Sequence, residues 1–196
     1  MKIPSLSKPL QAFVQILMSR KVMSEEEAKV ALQKSYEQFG DIGLSLNEAI
    51  SSVDKMLDCI EMGVRSMKAN GRDGAIYHCM VNKSTDEIAK VHGSKLVDWQ
   101  VELFKGIVAL FAKKEEEELA LLEIRELKIS AKGITHGVRY TEWNTDIRAF
   151  AEQLVADFWL ARPGNRAAYK LGVRTYVELP ELLKSYDLAI PQVIHH

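Results

Sequence analysis

The stretch MGVRSMKANGRDGAIYHCMVN, from Met62 to Asn82, decides the fold, because helical spacing stops here and β-prone residues take over. AIYHCMV, at residues 75–81, is typical of a strand. Asn70-Gly71 and Asp73-Gly74 are both dipeptides that tolerate the positive φ angles of a tight turn. A two-stranded β-hairpin is therefore predicted between residues 62 and 82.

Three helices are predicted before this hairpin. The first carries an apolar stripe at helical spacing, made of Leu10, Phe13, Val14, Leu17 and Met18. Ser24 and Glu27 form a capping box that opens a second helix, which is expected to run to about Phe39. Ser45 and Glu48 form another, opening a long third helix whose apolar positions continue to Val64. Three helices followed by a hairpin is the order of a winged-helix domain.

Helical spacing resumes after the hairpin, from Leu96 to Phe111, and this helix is predicted to pack back on the first domain. The run KKEEEE at residues 113–118 is interpreted as a solvated helix end. It also falls at a plausible module boundary. We therefore expect a first winged-helix domain with an added C-terminal helix over residues 1–116.

A second hairpin is predicted in FWLARPGNRAAYKLGVRTYVEL, from Phe158 to Leu179, which turns through Pro-Gly-Asn between two apolar segments. A helix opened by Asn144 or Thr145 precedes it, and a helical segment that Pro180 interrupts follows it. Residues 117–190 thus read as a second winged-helix domain. The predicted fold class is mainly α with small β-hairpins (α+β), with tandem winged-helix domains.

Composition limits the possible functions. The 196 residues are 47% hydrophobic with a net charge of −1, so any contact with nucleic acid must come from a local patch. Two cysteines exclude a disulfide framework and a cysteine-rich zinc site, and they suit a reducing compartment. No apolar run reaches the roughly 20 residues of a membrane span, and no signal-peptide core is present, so a soluble intracellular protein is expected. His195 and His196 are set aside as the possible remainder of a tag.

The charges of the helix before each hairpin argue against reading of DNA sequence. Residues 47–61 carry four acids against Lys55, and residues 145–158 carry three acids against Arg148. Such helices are poorly suited to a polyanion. The second hairpin is basic instead, and the candidates for phosphate contact are Arg162, Arg166, Lys170 and Arg174. The alternative is that these are solvated residues that protect strand edges.

Catalysis has no support in the sequence. His78, His92 and His136 stand singly, and neither a nucleophile-elbow nor a phosphate-loop motif occurs. We therefore predict no catalytic, cofactor-binding or metal-binding residues. Cys59 and Cys79 are interpreted as small buried hydrophobic residues.

Several stretches together resemble the first non-SMC element subunit of the SMC five-six complex. They are QAFVQILMSRKVMSEEEA, IYHCMVNKSTDEIAKV, WQVELFKGIVALF, and FWLARPG followed by KLGVRTYVELPELL. The resemblance covers nearly all of residues 9–186, and it rests on the order and spacing of these stretches.

The resemblance implies a tandem winged-helix scaffold that binds a MAGE-like winged-helix subunit and a kleisin subunit, and through them SMC heads. It implies a nuclear, chromatin-associated role in DNA repair and recombination. Members of the family continue into a zinc-binding RING-like domain associated with ubiquitin ligase activity, and this chain stops near where that domain would begin. Zinc and ligase activity are therefore not expected of this chain.

Apolar residues left over from the core would be the anchors for a protein partner. The candidates are Phe13, Met18, Tyr36 and Phe39 in the first domain, and Trp143 and Tyr176 in the second; a core position is the alternative for each. Two other functions stay open: direct binding of duplex DNA through the basic hairpins, and regulation of transcription.

Overall fold

The structure is a computed structural model that describes residues 6–69, 74–83, 96–114, 118–127, 140–164 and 167–195. The chain forms two compact units. Unit 1 comprises Met1–Thr85 together with Pro191–His196, and unit 2 comprises Asp86–Ile190.

Unit 1 is three helices against a four-stranded antiparallel sheet. Its elements in chain order are α1 (Lys8–Arg20), β1 (Val22–Ser24), α2 (Glu25–Phe39), α3 (Leu46–Leu57), a 3₁₀ turn (Asp58–Ile60), β2 (Met62–Lys68) and β3 (Ile76–Asn82). The strand order is β1-β3-β2-β7, where β7 (Val193–His195) pairs with β2. One apolar cluster joins the three helices to the sheet through Phe13, Leu17, Ile50, Val53 and Val64.

Unit 2 repeats this order with shorter strands. Its elements are α4 (Asp98–Lys114), β4 (Leu119–Ala120), α5 (Leu121–Arg125), α6 (Tyr140–Ala156), β5 (Leu160–Ala161), β6 (Ala168–Leu171), α7 (Val173–Glu178) and α8 (Pro180–Ser185). The strand order is β4-β6-β5. Its core contains the fully buried side chains of Phe104, Ile107, Phe150 and Trp159.

The two units therefore share one plan, which is helix, strand, helix, helix and hairpin. In both units the short first strand pairs antiparallel with the last strand of the hairpin, β1 with β3 and β4 with β6. This is the winged-helix arrangement, so the predicted tandem of winged-helix domains is confirmed. The short strands β1 and β4 were not predicted, because two or three residues are too few to show alternation.

The predicted helix starts in unit 1 are confirmed by their caps. Ser24 Oγ accepts the amide N–H of Glu27 at 3.2 Å, and Glu27 Oε2 accepts the amide N–H of Ser24 at 2.9 Å. Ser45 and Glu48 form the same reciprocal pair at the start of α3. Helix α2 ends at Phe39, as predicted, because Gly40 adopts the left-handed conformation with φ 69°.

The third helix is shorter than predicted. It ends at Leu57, and Val64, the last position of the predicted apolar stripe, lies buried in β2. The 3₁₀ turn is capped at Glu61, which adopts the left-handed conformation with φ 54°, and a polar clamp formed by Asp54 then links the helix to the strand. Asp54 Oδ1 accepts the amide N–H of Val64 at 2.8 Å, and Lys83 Nζ lies 3.2 Å from Asp54 and 3.0 Å from Asp58. The seven-residue spacing from Leu57 to Val64 matched a helix only by coincidence.

The predicted domain boundary at residue 116 is wrong. The units divide between Thr85 and Asp86, and α4 belongs to unit 2. Its buried residues Leu103, Phe104 and Ile107 lie in the same core as Phe150 and Trp159. This helix is the first helix of the second winged-helix domain, so the KKEEEE run lies inside that domain, where Lys114 bridges to Glu123.

Smaller differences complete the comparison. Helix α6 begins at Tyr140, before the predicted start at Asn144 or Thr145. The break at Pro180 is confirmed, since α7 ends at Glu178 and α8 begins at Pro180. Of the two thiols, Cys79 is buried as predicted, whereas Cys59 is exposed in the 3₁₀ turn. Among the described residues, no helix has the length and apolarity to cross a bilayer.

We expect Asp54→Ala to destabilise unit 1 by about 1–3 kcal/mol, because it leaves the Val64 amide and the Lys83 ammonium without their buried acceptor. Asp58→Ala is the matched control, because Asp58 is largely exposed, and it should change stability by about 0.5 kcal/mol or less. Amide hydrogen exchange at Val64 measures both effects. Equal protection of Val64 in the two variants would show that the clamp does not hold β2.

Candidate interaction site

A groove in unit 1 lies between helix α2 and the segment that leads into α3. Its cavity volume is about 380 Å³, which is within the range of binding clefts. Leu32, Tyr36, Leu44 and Leu46 supply its apolar lining. We refer to it as the α2–α3 groove.

The segment beside the groove is exposed throughout, since every residue from Glu37 to Ser45 is solvent-accessible. It nevertheless carries three large apolar side chains: Phe39 is 40% exposed, Ile42 102% and Leu44 43%. A Cβ at Gly43 would lie 2.6 Å from the Tyr36 ring, so glycine is needed for the segment to rest on that ring. The fold therefore holds apolar side chains in water where no core requires them.

The charges at the groove are mainly acidic. Lys29 is balanced by Glu25, whose carboxylate lies 2.6 Å from its ammonium. Glu37 accepts a hydrogen bond from Gln33 at 2.7 Å, but neither Glu37 nor Asp41 forms an ion pair with another described residue. The rim of the groove therefore presents two uncompensated carboxylates.

Arg162, a candidate for phosphate contact, lies in a polar cluster of unit 2. Its guanidinium donates to the carboxylate of Glu152 and, at 3.2 Å, to the hydroxyl of Tyr169, and it lies 4.8 Å from the centroid of the Tyr169 ring. Burial alone would raise the pKa of Glu152, but hydrogen bonds from Arg162 and Tyr169 outweigh it and lower that pKa. The charge of Arg162 is thus largely engaged within the unit.

Arg174 is not a phosphate contact in this structure, and its assignment to the hairpin is wrong. It lies in α7 and is 6% exposed. Its Nε donates to Glu178 at 2.5 Å, and its guanidinium stacks 4.0 Å from the centroid of the Trp159 ring. The sequence did not reveal this role, because a basic residue next to a basic hairpin looks the same whether it is solvated or buried.

The two remaining basic candidates are Lys170 and Arg166. Lys170 lies in β6 with intermediate exposure, opposite Ala161. Arg166 lies outside the described residues. Phosphate contact by either residue stays a prediction.

Phe158, at the start of the second hairpin, has an unusual backbone. Helix α6 ends in a Schellman motif, in which Trp159 N–H binds the Leu154 carbonyl at 2.9 Å and Phe158 N–H binds the Val155 carbonyl at 3.1 Å. Phe158 occupies the left-handed position of this motif, with φ 62°, where glycine is usual. Its carbonyl accepts the amide of Arg174 at 3.1 Å, so the backbone of residue 158 positions helix α7.

The predicted partner-contact residues differ in how far they are buried. Phe13 is wholly buried in the core of unit 1, so it is not an interface anchor and its core alternative is confirmed: with Leu10, Val14 and Leu17 it lies in one apolar cluster with residues of α2 and α3. Tyr36 is 9% exposed and lines the α2–α3 groove, while Phe39 and Met18 are exposed. Tyr176 packs against the core of unit 2 and is partly buried. The side chain of Trp143 lies outside the described residues.

Ile42 and Leu44 were missed by the sequence analysis. The signal was present, since both are apolar residues in a segment with neither helical nor strand spacing, between a helix end at Gly40 and a capping box at Ser45. Their exposure could not be read from this signal, because loop residues often fold back on the core.

No catalytic or metal constellation is found in the part of the chain that the structure describes. There, no group of three or more His, Cys, Asp or Glu side chains could hold a metal ion. Buried His78 has its Nδ1 2.7 Å from the hydroxyl of Ser66, an arrangement that joins β2 to β3.

Comparison with known proteins places these surfaces in context. A family model described as the Nse1 non-SMC component of the SMC5-6 complex matches residues 10–179. The chain belongs to this family. A chain of a solved structure described as the Nse1-Nse3-Nse4 complex is 20% identical, with a TM-score of 0.75 over 95% of this chain and 78% of that chain. At this identity, the likeness shows that the two chains share the tandem winged-helix fold of the Nse1 family. No curated protein matches the chain.

We expect Phe158→Gly to be more stable than Phe158→Ala by about 1 kcal/mol, because alanine is strained in the left-handed conformation that glycine adopts freely. Both variants lack the ring, so the comparison isolates the backbone. Urea unfolding followed by tryptophan fluorescence measures it, since all three tryptophans belong to unit 2. Equal stabilities, or a more stable alanine variant, would contradict the role assigned to residue 158.

We expect Glu178→Ala to destabilise unit 2 by about 3–5 kcal/mol, because it removes the carboxylate that binds a buried guanidinium. Glu181→Ala is the matched control: it removes a carboxylate that also binds a cation within its own helix but is 68% exposed, and we expect a loss of about 0.5 kcal/mol or less. The same fluorescence measurement reports both variants. A loss at Glu178 as small as the loss at Glu181 would mean that Arg174 is solvated and available to a ligand.

Proposed function

We propose that this chain is a non-catalytic scaffold subunit of the SMC5-6 genome-maintenance complex, acting in DNA repair and recombination. Its partners are a MAGE-like winged-helix subunit, corresponding to Nse3, and a kleisin subunit, corresponding to Nse4. Through them it reaches the SMC heads. The site of action is nuclear and chromatin-associated.

One structural observation carries the proposal beyond family membership. Unit 1 holds Phe39, Ile42 and Leu44 exposed beside an apolar groove, while the helix that follows, α3, carries a single basic residue, Lys55. A winged-helix domain that reads DNA has the reverse pattern, with a basic or polar third helix. Exposed apolar side chains around a groove favour a protein partner.

Direct binding of duplex DNA is less well supported. Arg174 is buried against Trp159 and Glu178, and Arg162 is bound by Glu152, so at least two of the four residues predicted to contact phosphate are engaged within unit 2. Each engaged cation is one fewer available to release counterions from a phosphate backbone. Weak contact through Lys170 or Arg166 is compatible with a scaffold role.

In this proposal the chain acts without a cofactor of its own. The ubiquitin ligase activity implied for the family needs a zinc-binding RING-like domain, and the described residues of the two units contain no cluster of metal-ligating side chains. Their contribution is to hold the MAGE-like and kleisin subunits together.

The proposal is tested by calorimetric titration of this chain with the MAGE-like subunit from the same source, at about 0.1 M and about 0.5 M salt. We expect saturable one-to-one binding with a negative heat-capacity change, and an affinity that falls little with salt, because apolar burial is not screened. Duplex DNA in place of the subunit should bind weakly and be lost at the higher salt concentration. A folded chain that binds DNA tightly and the subunit not at all would overturn the scaffold proposal.

A further inference from the structure

We propose that the α2–α3 groove is the binding site for an amphipathic helix from a partner subunit. This helix has large apolar side chains flanked by lysine or arginine. This inference rests on the proposed scaffold function and adds the place and the chemistry of the contact.

Leaving this surface in water has a cost. Ile42 contributes no buried side-chain surface to unit 1, since its side chain is 102% exposed, and Phe39 and Leu44 are each at least 40% exposed. Burial of large apolar side chains against a partner removes this surface from water and stabilises the complex. Three such side chains within six residues, beside a cleft, make a compact source of binding energy.

The second argument is the rigidity of the segment that carries them. Gly43 rests on the ring of Tyr36, Asp41 N–H donates to the Tyr36 carbonyl at 3.3 Å, and the capping box of Ser45 and Glu48 fixes the far end. A segment held at both ends and in the middle loses little conformational freedom on binding. The surface is therefore preorganised.

A helix fits the groove better than an extended strand does. The groove is lined by one face of α2, from Lys29 to Glu37, and by Asp41, Gly43, Leu44 and Leu46. The amides and carbonyls of α2 are used within the helix, so this wall offers no strand edge to which an extended peptide could add. A helix that inserts side chains at i, i+3 or i+4 meets the groove through side chains alone.

The fourth argument is charge. Glu37 and Asp41 at the rim have no ion pair among the described residues, whereas Lys29 is already balanced by Glu25. A bound helix that left these two carboxylates unpaired would desolvate them at a cost. A lysine or arginine next to the apolar anchors would compensate them and would steer association.

The double variant Ile42→Ser, Leu44→Ser in the full chain tests the apolar contact against the MAGE-like and kleisin subunits. We expect at least about a tenfold loss of affinity for one of the two subunits, because central apolar contacts carry most of the energy of an interface. Val30→Ser is the matched control. Val30 is 52% exposed on α2 but lies neither in the groove lining nor in the exposed apolar segment from Phe39 to Leu44 beside it, so this variant should bind within about twofold of wild type.

The double variant Glu37→Gln, Asp41→Asn tests the charge. We expect a loss of about two- to fivefold at about 0.1 M salt that disappears at about 0.5 M, because salt screens exposed charges. Glu26→Gln is the control, since Glu26 is exposed on α2 away from the groove and should have no effect. An equal response from Glu26→Gln would show a general effect of net charge and would overturn the role of the rim.

A photoreactive amino acid in place of Ile42 identifies the occupant in the reconstituted three-subunit complex. We expect cross-links to a helical segment of one partner that contains apolar and basic residues. Cross-links only within this chain, or to a segment without basic residues, would overturn the inference.

The outcomes separate the two proposals. If the wild-type chain binds its partners and the Ile42→Ser, Leu44→Ser variant binds equally well, the groove is not the binding site. The scaffold function then depends on another surface. If the wild-type chain binds neither subunit, the scaffold function fails, and the inference fails with it.

Discussion

The pairing of a very short strand with the last strand of a hairpin is the constraint on which the rest of each unit depends. In unit 1 this pair is Val22–Ser24 with Tyr77–Cys79, and in unit 2 it is Leu119–Ala120 with Ala168–Tyr169. The residue that ends each short strand is also the N-cap of the next helix, Ser24 in one unit and Ala120 in the other. The sheet register therefore fixes where the second helix begins and, through the common core, how the third helix meets the hairpin.

Around this constraint the two units use their polar groups differently. In unit 1 an acidic residue of the third helix has a structural role, since Asp54 binds the Val64 amide and Lys83. In unit 2 a basic residue has the structural role, since Arg174 is buried between Trp159 and Glu178. In a sum of the sequence charges, Asp54 would count against a DNA-binding surface and Arg174 would count in favour of one. Because each is neutralised within its unit, the charges available to a partner differ from those of the sequence.

The sequence predicted local structure well, but it predicted less well which segments pack together in one core. Capping boxes at Ser24 and Ser45, and the break at Pro180, act over a few residues, so these two helix starts and this break were predicted correctly. Helix α4 shows the limit. Its apolar spacing predicted a helix correctly, but spacing says only that one face is buried, and not which core buries it. The boundary at residue 116 failed for this reason. The candidate site followed the same pattern: Tyr36 and Phe39 were named, Phe13 proved to be core, and Ile42 and Leu44 were missed.

By itself, the sequence determined the fold class, the tandem arrangement and membership of the Nse1 family, because these depend on periodicity, capping and motif order along the chain. Only the tertiary structure decided which apolar residues remain in water and which charges remain free. Exposure is a property of the packed molecule, and an isoleucine in a loop has the same sequence signature whether it is buried or, like Ile42, fully exposed. The α2–α3 groove likewise depends on tertiary packing, since its walls come from a helix and a loop whose contact requires Gly43 to lie against the Tyr36 ring.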